Sequence, residues 1–161
     1  MRFVVHEHQA SHHHFDFRLE IGGVLKSWAI PKGPSLNSGE RRLAIQVPDH
    51  SLEYGGWEGI IPEGDYGAGS VAIWDEGEYK LSEGKDSEEQ WERGSLSIEL
   101  SGQILKGGFS LVKMKGRNLT KEWLLIKKKD AFARSDWKIK TALTKKKLSE
   151  LRVEKAPCRM E

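Results

Sequence analysis

From His14 to Ile21 the chain alternates polar and apolar residues without a break: His, Phe, Asp, Phe, Arg, Leu, Glu, Ile. Side chains of a strand point to opposite faces with period two, so His14, Asp16, Arg18 and Glu20 share one face. Phe15, Phe17, Leu19 and Ile21 share the other, which reads as a core face. Gly22-Gly23 follows, a signal for a two-residue hairpin turn. The chain then returns as Val24–Ile30, with Phe17 opposite Trp28 and Phe15 opposite Ile30. On the polar face, Arg18 lies opposite Ser27 and Asp16 opposite Ala29, and these small partners leave room for a ligand. Lys26 opposite Leu19 fits a core poorly and marks the rim of the sheet.

The polar face carries chemistry. Five of the six histidines fall within Val5–Glu20. His14, Asp16 and Arg18 stand in a row about 7 Å apart along the strand, backed by apolar side chains that hold them rigidly. Upstream, Arg2–His8 predicts a short strand in which His6 and His8 have equal parity. A brief loop joins it to His14 and Asp16. Two imidazoles and a carboxylate suit a divalent transition metal with open coordination positions. The structural alternative is a polar strand face with incidental histidines. His12 and His13 are expected to face solvent.

The chain as a whole sets bounds. Its 161 residues fit one domain able to bury a core, and a net charge of +2 is far from grossly basic. No apolar run approaches membrane-spanning length and no signal-peptide pattern opens the chain, so a cytoplasmic location is expected. The single cysteine, Cys158, excludes an internal disulfide framework. Nothing in the sequence demands assembly, and a monomer is expected.

Further along, Pro31–Ser35 reads as a rigid loop presenting Lys32. Arg42–Val47 alternates, with Leu43, Ile45 and Val47 assigned to the core and Arg42, Ala44 and Gln46 to the other face. That strand delivers Asp49 and His50 at its end, with Tyr54 soon after. Glu53–Gly69 is irregular and glycine-rich, and barrel corners fit it better than a phosphate cradle because the Walker lysine is missing. Ser70–Trp74 and Glu78–Leu81 read as strands around an Asp-Glu-Gly turn, and Ser82–Arg93 as a loop or short surface helix. Leu96–Leu100, Gln103–Lys106, Phe109–Lys115 and Glu122–Lys127 follow as strands, with a turn at Gly107-Gly108. About eight short strands at close spacing favour a mainly β, single-domain barrel with small flanking helices. The barrel is assigned to residues 1–140 and a basic C-terminal helix or tail to 141–161. Thr141–Arg152 is its amphipathic helix, in which Lys145–Lys147 could touch a phosphate backbone. Ala156–Glu161 reads as a frayed end.

A divalent cation beside Arg and Lys is an arrangement suited to phosphoryl transfer, and a nearby His can protonate a leaving oxygen. Here His50 with Arg18, Lys32 and Arg42 supplies those parts. The segments H-E-H-Q-A-S-H-H-H-F-D-F-R-L-E, L-K-S-W-A-I-P-K-G-P-S, R-R-L-A, D-H-S-L-E-Y, W-E-G-I-I-P and G-D-Y-G-A-G, in this order, resemble the 3′-phosphoesterase module of bacterial DNA ligase D. That module also occurs as free-standing proteins. The resemblance covers roughly Phe3 to Ala133. It implies a compact β-barrel enzyme of DNA repair that heals 3′ ends. Such enzymes trim a terminal ribonucleoside from a primer strand, then remove the remaining 3′-phosphate to give a 3′-hydroxyl for a ligase or polymerase.

The resemblance implies manganese as cofactor, with zinc or cobalt as alternatives, held by His8, His14 and Asp16. It implies that Arg18 binds phosphate, that His50 is a transition-state stabiliser or general acid, and that Tyr54, Lys32 and Arg42 support phosphate binding. There are departures. His6 stands where Gln is common, Phe15 where Tyr is frequent and Pro48 where an acidic residue is common. The N-terminal arm that serves the ribonucleoside-removing step in many members is expected to be missing, so the resemblance carries the phosphomonoesterase step further than the diesterase step. Two other readings compete: a non-catalytic, metal-containing nucleic-acid-binding barrel, and a 2-His-1-carboxylate iron(II) oxygenase.

Overall fold

The computed structural model describes residues 1–157. Nine strands form one antiparallel sheet: β1 (Arg2–Gln9), β2 (His13–Ile21), β3 (Val24–Ile30), β4 (Arg41–His50), β5 (Gly59–Ile61), β6 (Gly69–Leu81), β7 (Ser95–Gly102), β8 (Lys106–Lys113) and β9 (Glu122–Lys127). Their order is β1-β2-β3-β4-β9-β8-β7-β6-β5, and a further pairing of β1 with β6 closes eight of them into a barrel. β5 lies outside the ring on β6. Two short helices, α1 (Ser87–Arg93) and α2 (Lys145–Glu150), and a 3₁₀ helix at Leu52–Gly56 complete the fold. Closure removes the exposed sheet edges that a chain of short strands would otherwise present.

The first hairpin has the register that its pattern dictates. Phe17 pairs with Trp28, Phe15 with Ile30, Arg18 with Ser27, Asp16 with Ala29 and Leu19 with Lys26. Gly22 and Gly23 have φ of 62° and 82°, the left-handed values that this tight turn requires at both positions. Phe3, Val5, Phe15, Phe17, Leu19, Ile21, Trp28 and Ile30 are buried in one core cluster with Leu96, Ile98, Phe109, Leu111, Trp123 and Leu125. Lys26 is covered rather than left at the rim: its ammonium pairs with Asp49 at 2.9 Å and lies over the Trp91 ring of α1.

Three local expectations are corrected. On β4 the assignment of faces is inverted. Ala44 is fully buried opposite Trp123, and Gln46 accepts from the Trp123 indole, while Leu43 is 40% exposed. Register decides this, because Ser27 pairs with Val47 and Ala29 with Ile45, which puts both aliphatic residues on the polar face of the first hairpin. Second, Asp75-Glu76-Gly77 is not a turn but the middle of β6, where a register shift against Val5/His6 accommodates an extra residue as a bulge. Asp75 is buried there and accepts from the backbone of Gln103 and Leu105. Third, Gln103–Leu105 is the connection between β7 and β8, and Gly107-Gly108 lies inside β8, paired with Leu100 and Glu99.

The segment after Ala133 packs back on the barrel. Trp137, Ile139 and Ala142 lie against the core cluster. The buried Glu7 carboxylate accepts from the Thr141 hydroxyl and from the backbone of Ala142 and Leu143. The helix expected over Thr141–Arg152 is shorter, spanning Lys145–Glu150 behind a Thr144 cap. Cys158 and most of the expected frayed end lie outside the described residues. Among those described, no helix is long and apolar enough to cross a membrane.

Candidate active site

β1 and β2 place four polar groups on one face, and the pairing of His8 with His14 and of His6 with Asp16 sets them side by side. One ligand atom each from His8, His14 and Asp16 lies within 4.8 Å of the others. Asp16 Oδ2 is 3.3 Å from His14 Nε2 and 3.7 Å from His8 Nδ1. The remaining ring nitrogens point at backbone carbonyls. His8 Nε2 is 2.7 Å from Gly67 O, and His14 Nδ1 is 2.9 Å from His12 O. A carbonyl only accepts, so those nitrogens carry the protons and donate. That leaves His8 Nδ1 and His14 Nε2 as the nitrogens that face Asp16, each able to offer a lone pair to a cation once it carries no proton. That donor set, with each imidazole oriented from behind by a carbonyl, fits a divalent cation. Gly67 has φ of 75°, a left-handed backbone conformation that glycine adopts without strain. Its glycine lets the carbonyl approach the ring.

Arg18 is the hub of the face and is only 2% exposed. Its Nε donates to His6 Nδ1 at 3.0 Å, Nη1 to Ser27 Oγ at 2.9 Å and Nη2 to Asp16 Oδ2 at 3.3 Å. The guanidinium also lies 3.1 Å from His50 Nδ1, and its Cζ sits 4.9 Å from the centre of the Tyr54 ring. Tyr54 comes from the 3₁₀ helix, whose first turn is capped by Ser51, and its ring packs on both His50 and His6. Opposite His6, Nε2 faces Trp57 O at 3.1 Å, so Nε2 donates there and Nδ1 is left to accept from Arg18.

The electrostatics follow from this packing. Burial favours a neutral Asp16. The Arg18 charge, with hydrogen bonds from His14 and His8, instead holds its carboxyl well below the usual carboxylate range. For His14, burial pulls the imidazole down, but the hydrogen bond and charge of Asp16 more than offset it and the net shift is upward. Burial and then the Arg18 charge hold His6 well below the ordinary imidazole value, keeping it neutral.

These residues border a pocket of about 570 Å³ lined by His8, His14, Asp16, Arg18, His50 and Tyr54. Six of the eight site residues expected from sequence thus converge. Lys32 and Arg42 do not line this pocket. Lys32 is exposed on the loop after β3, and Arg42 shares the Ala44 face of β4, paired with Glu40 at 3.4 Å. Several contributors had no local sequence signal: the carbonyls of Gly67 and Trp57, and a wall formed by Lys155, Ala156 and Pro157. His6 and Ser27 were visible as residues on the right face, but their bonds to Arg18 depend on the fold.

A closed antiparallel barrel whose wall holds a His-His-Asp group beside a buried arginine defines the class of protein. The chain belongs to the DNA ligase D 3′-phosphoesterase domain family, whose model matches residues 6–113. Among curated proteins it is 47% identical over 135 residues to the multifunctional non-homologous end joining protein LigD of Pseudomonas aeruginosa. It is 44% identical over 114 residues to the LigD of Mycobacterium tuberculosis, and 39% over 133 residues to that of Mycolicibacterium smegmatis. These alignments cover 84%, 71% and 80% of this chain but only 16%, 15% and 17% of those longer proteins.

Proposed function

We propose that this chain is a metal-dependent phosphoesterase that heals 3′ ends in DNA repair. It removes a terminal 3′-phosphate, and trims a 3′-terminal ribonucleoside to leave that phosphate first. The substrate is a primer-template end, and the 3′-hydroxyl product serves a separate ligase or polymerase. His8, His14 and Asp16 would hold the metal, with manganese preferred and zinc or cobalt able to use the same ligands. Bound there, the cation would polarise a phosphoryl oxygen.

The chain's own groups supply the rest. Arg18 has five N–H donors, and its bonds to His6, Ser27 and Asp16 fix the plane of the fork. A fork held that way makes charge-assisted hydrogen bonds to phosphoryl oxygens that strengthen as negative charge develops. His50, against Arg18, donates a proton or hydrogen bond to the oxygen that accumulates charge. Tyr54 covers both and keeps water from the guanidinium. The observation that carries this reading is the convergence of the His8-His14-Asp16 group and Arg18 in one pocket of a 3′-phosphoesterase family member.

The test is a primer-template duplex ending in a 3′-phosphate, incubated with Mn²⁺ or with EDTA. Phosphate release with Mn²⁺ and none with EDTA is expected. Binding without release under Mn²⁺ would overturn the reading in favour of a binding barrel, and oxoglutarate decarboxylation with Fe²⁺ would favour the oxygenase.

A further inference from the structure

The pocket is not walled by the barrel alone. Lys155, Ala156 and Pro157 line it, and the chain around them is tied to the segment that covers Arg18. Ile60 N donates to Arg152 O at 2.8 Å, and Glu154 N donates to Ile60 O at 3.1 Å, a parallel bridge centred on Val153. The Trp57 indole donates to the Glu154 carboxylate at 2.8 Å, and Lys147 pairs with Glu58 at 2.6 Å. Trp57, Glu58 and Ile60 thus hold the C-terminal arm on the free side of β5. Trp57 also accepts from His6 through its carbonyl, so one short segment positions both Arg18 and the arm.

The pocket's charge makes this placement chemically meaningful. Among the lining residues, the arginine and lysine side chains are Arg18 and Lys155. Arg18 is buried and bonded on three sides, whereas Lys155 is exposed at the mouth. A single terminal phosphate is met by Arg18 and the His-His-Asp group. A polynucleotide end brings further phosphates, which a flexible, solvated ammonium suits well. The arm lies beyond residues 6–113, the stretch that the family's model matches.

We propose that Lys155 is a strand-binding residue: held at the pocket mouth by the Val153–Ile60 bridge, its ammonium takes a non-reacting phosphate of the strand that carries the 3′ end. This assignment rests on the 3′-end reading of the same pocket. It gives the site a preference for polynucleotide ends over small phosphomonoesters.

The experiment measures binding of a fluorescein-labelled primer-template duplex with a 3′-phosphate end, in EDTA so that nothing turns over, across a range of NaCl concentrations. The full chain is compared with Lys155→Ala, Lys155→Arg and, as a control for general surface charge, Lys85→Ala. Lys155→Ala is expected to weaken binding several-fold at low salt and to reduce the slope of log K against log salt by about 0.9, the loss of one phosphate contact. Lys155→Arg should keep the parent slope, and so should Lys85→Ala. Glu154→Pro, which removes the N–H that holds the arm to Ile60, should reproduce Lys155→Ala. A Lys155→Ala slope equal to the parent's, or an equal drop in Lys85→Ala, would overturn the proposal. Failure of the parent to release phosphate under Mn²⁺ would count against the enzymatic reading instead, and the slope comparison would still decide Lys155.

Discussion

Replacing His6 with Phe isolates what holds the arginine. An aromatic ring against Tyr54, where the centroids lie 5.2 Å apart, is kept, although Phe is somewhat larger than His. Two hydrogen bonds are lost: Arg18 Nε to His6 Nδ1 at 3.0 Å, and His6 Nε2 to Trp57 O at 3.1 Å. The first involves a buried charge and is worth about 1.5–3 kcal/mol; the second is worth about 1 kcal/mol. The guanidinium is only 2% exposed, so water does not replace its partner without rearrangement. His6→Phe is therefore expected to lose about 3 kcal/mol of stability, read by urea unfolding. For a domain of this size that is a fall in Tm of about 6–12 °C. With the fork free to tilt, kcat/KM for 3′-phosphate release should fall about 100-fold, the scale of an ångström of misplacement. Gln presents an amide oxygen and an amide N–H in one side chain, so His6→Gln should recover most of both losses. A His6→Phe enzyme as stable and as active as the parent would refute the reasoning, as would a Gln variant no better than Phe.

Other expectations follow from the same geometry. Asp16→Asn keeps the shape but removes the charge shared by the metal group and Arg18, so Mn²⁺ binding by calorimetry should disappear. In the parent, Tm should rise with Mn²⁺ and fall on chelation, and in Asp16→Asn it should respond to neither. Lys32→Ala, on an exposed loop outside the pocket, should change kcat/KM by no more than about twofold, as for a surface substitution worth under about 0.5 kcal/mol. A loss comparable with that of Arg18→Ala would place Lys32 on the substrate. Tyr79 donates to Glu20 O at 2.7 Å, and burial pushes its hydroxyl from 10.0 up to about 12. The folded state holds that proton longer than the unfolded chain, so its contribution is complete below pH 10 and fades as pH rises toward 12. Tyr79→Phe should flatten the alkaline loss of stability measured by urea unfolding across that window.

What could be read from sequence depended on how locally each feature is fixed. The β2–β3 hairpin was legible to the residue pair, because a two-residue glycine turn and strict alternation determine register together. The face bearing His14, Asp16 and Arg18 followed from parity, whereas His8 joins it through the pairing of β1 with β2. β4 was misread because both of its faces are apolar in part. Val47 lines the pocket while Ala44 enters the core, and only pairing with β3 decides between them. Asp75-Glu76-Gly77 has the composition of a turn, yet it stays in the strand paired with β1, next to the bulge at Trp74, and the Asp75 carboxylate binds the β7–β8 connection, residues far away in sequence. The same distance hid the arm. Nothing in Leu151–Pro157 indicates that it lies beside Ile60, since its anchors, the Ile60 backbone and the Trp57 indole, are far away in sequence. Lys32 and Arg42 do not line the pocket, while Lys155 reaches it from a stretch read as tail.

The central claim is that His8, His14 and Asp16 grip one cation beside Arg18. Crystals grown or soaked with Mn²⁺ and measured for anomalous scattering at the manganese edge test it directly. The account predicts one strong peak bonded to His8 Nδ1, His14 Nε2 and an Asp16 oxygen, and its loss in His14→Ala. A peak elsewhere, or none at saturating Mn²⁺, would contradict it.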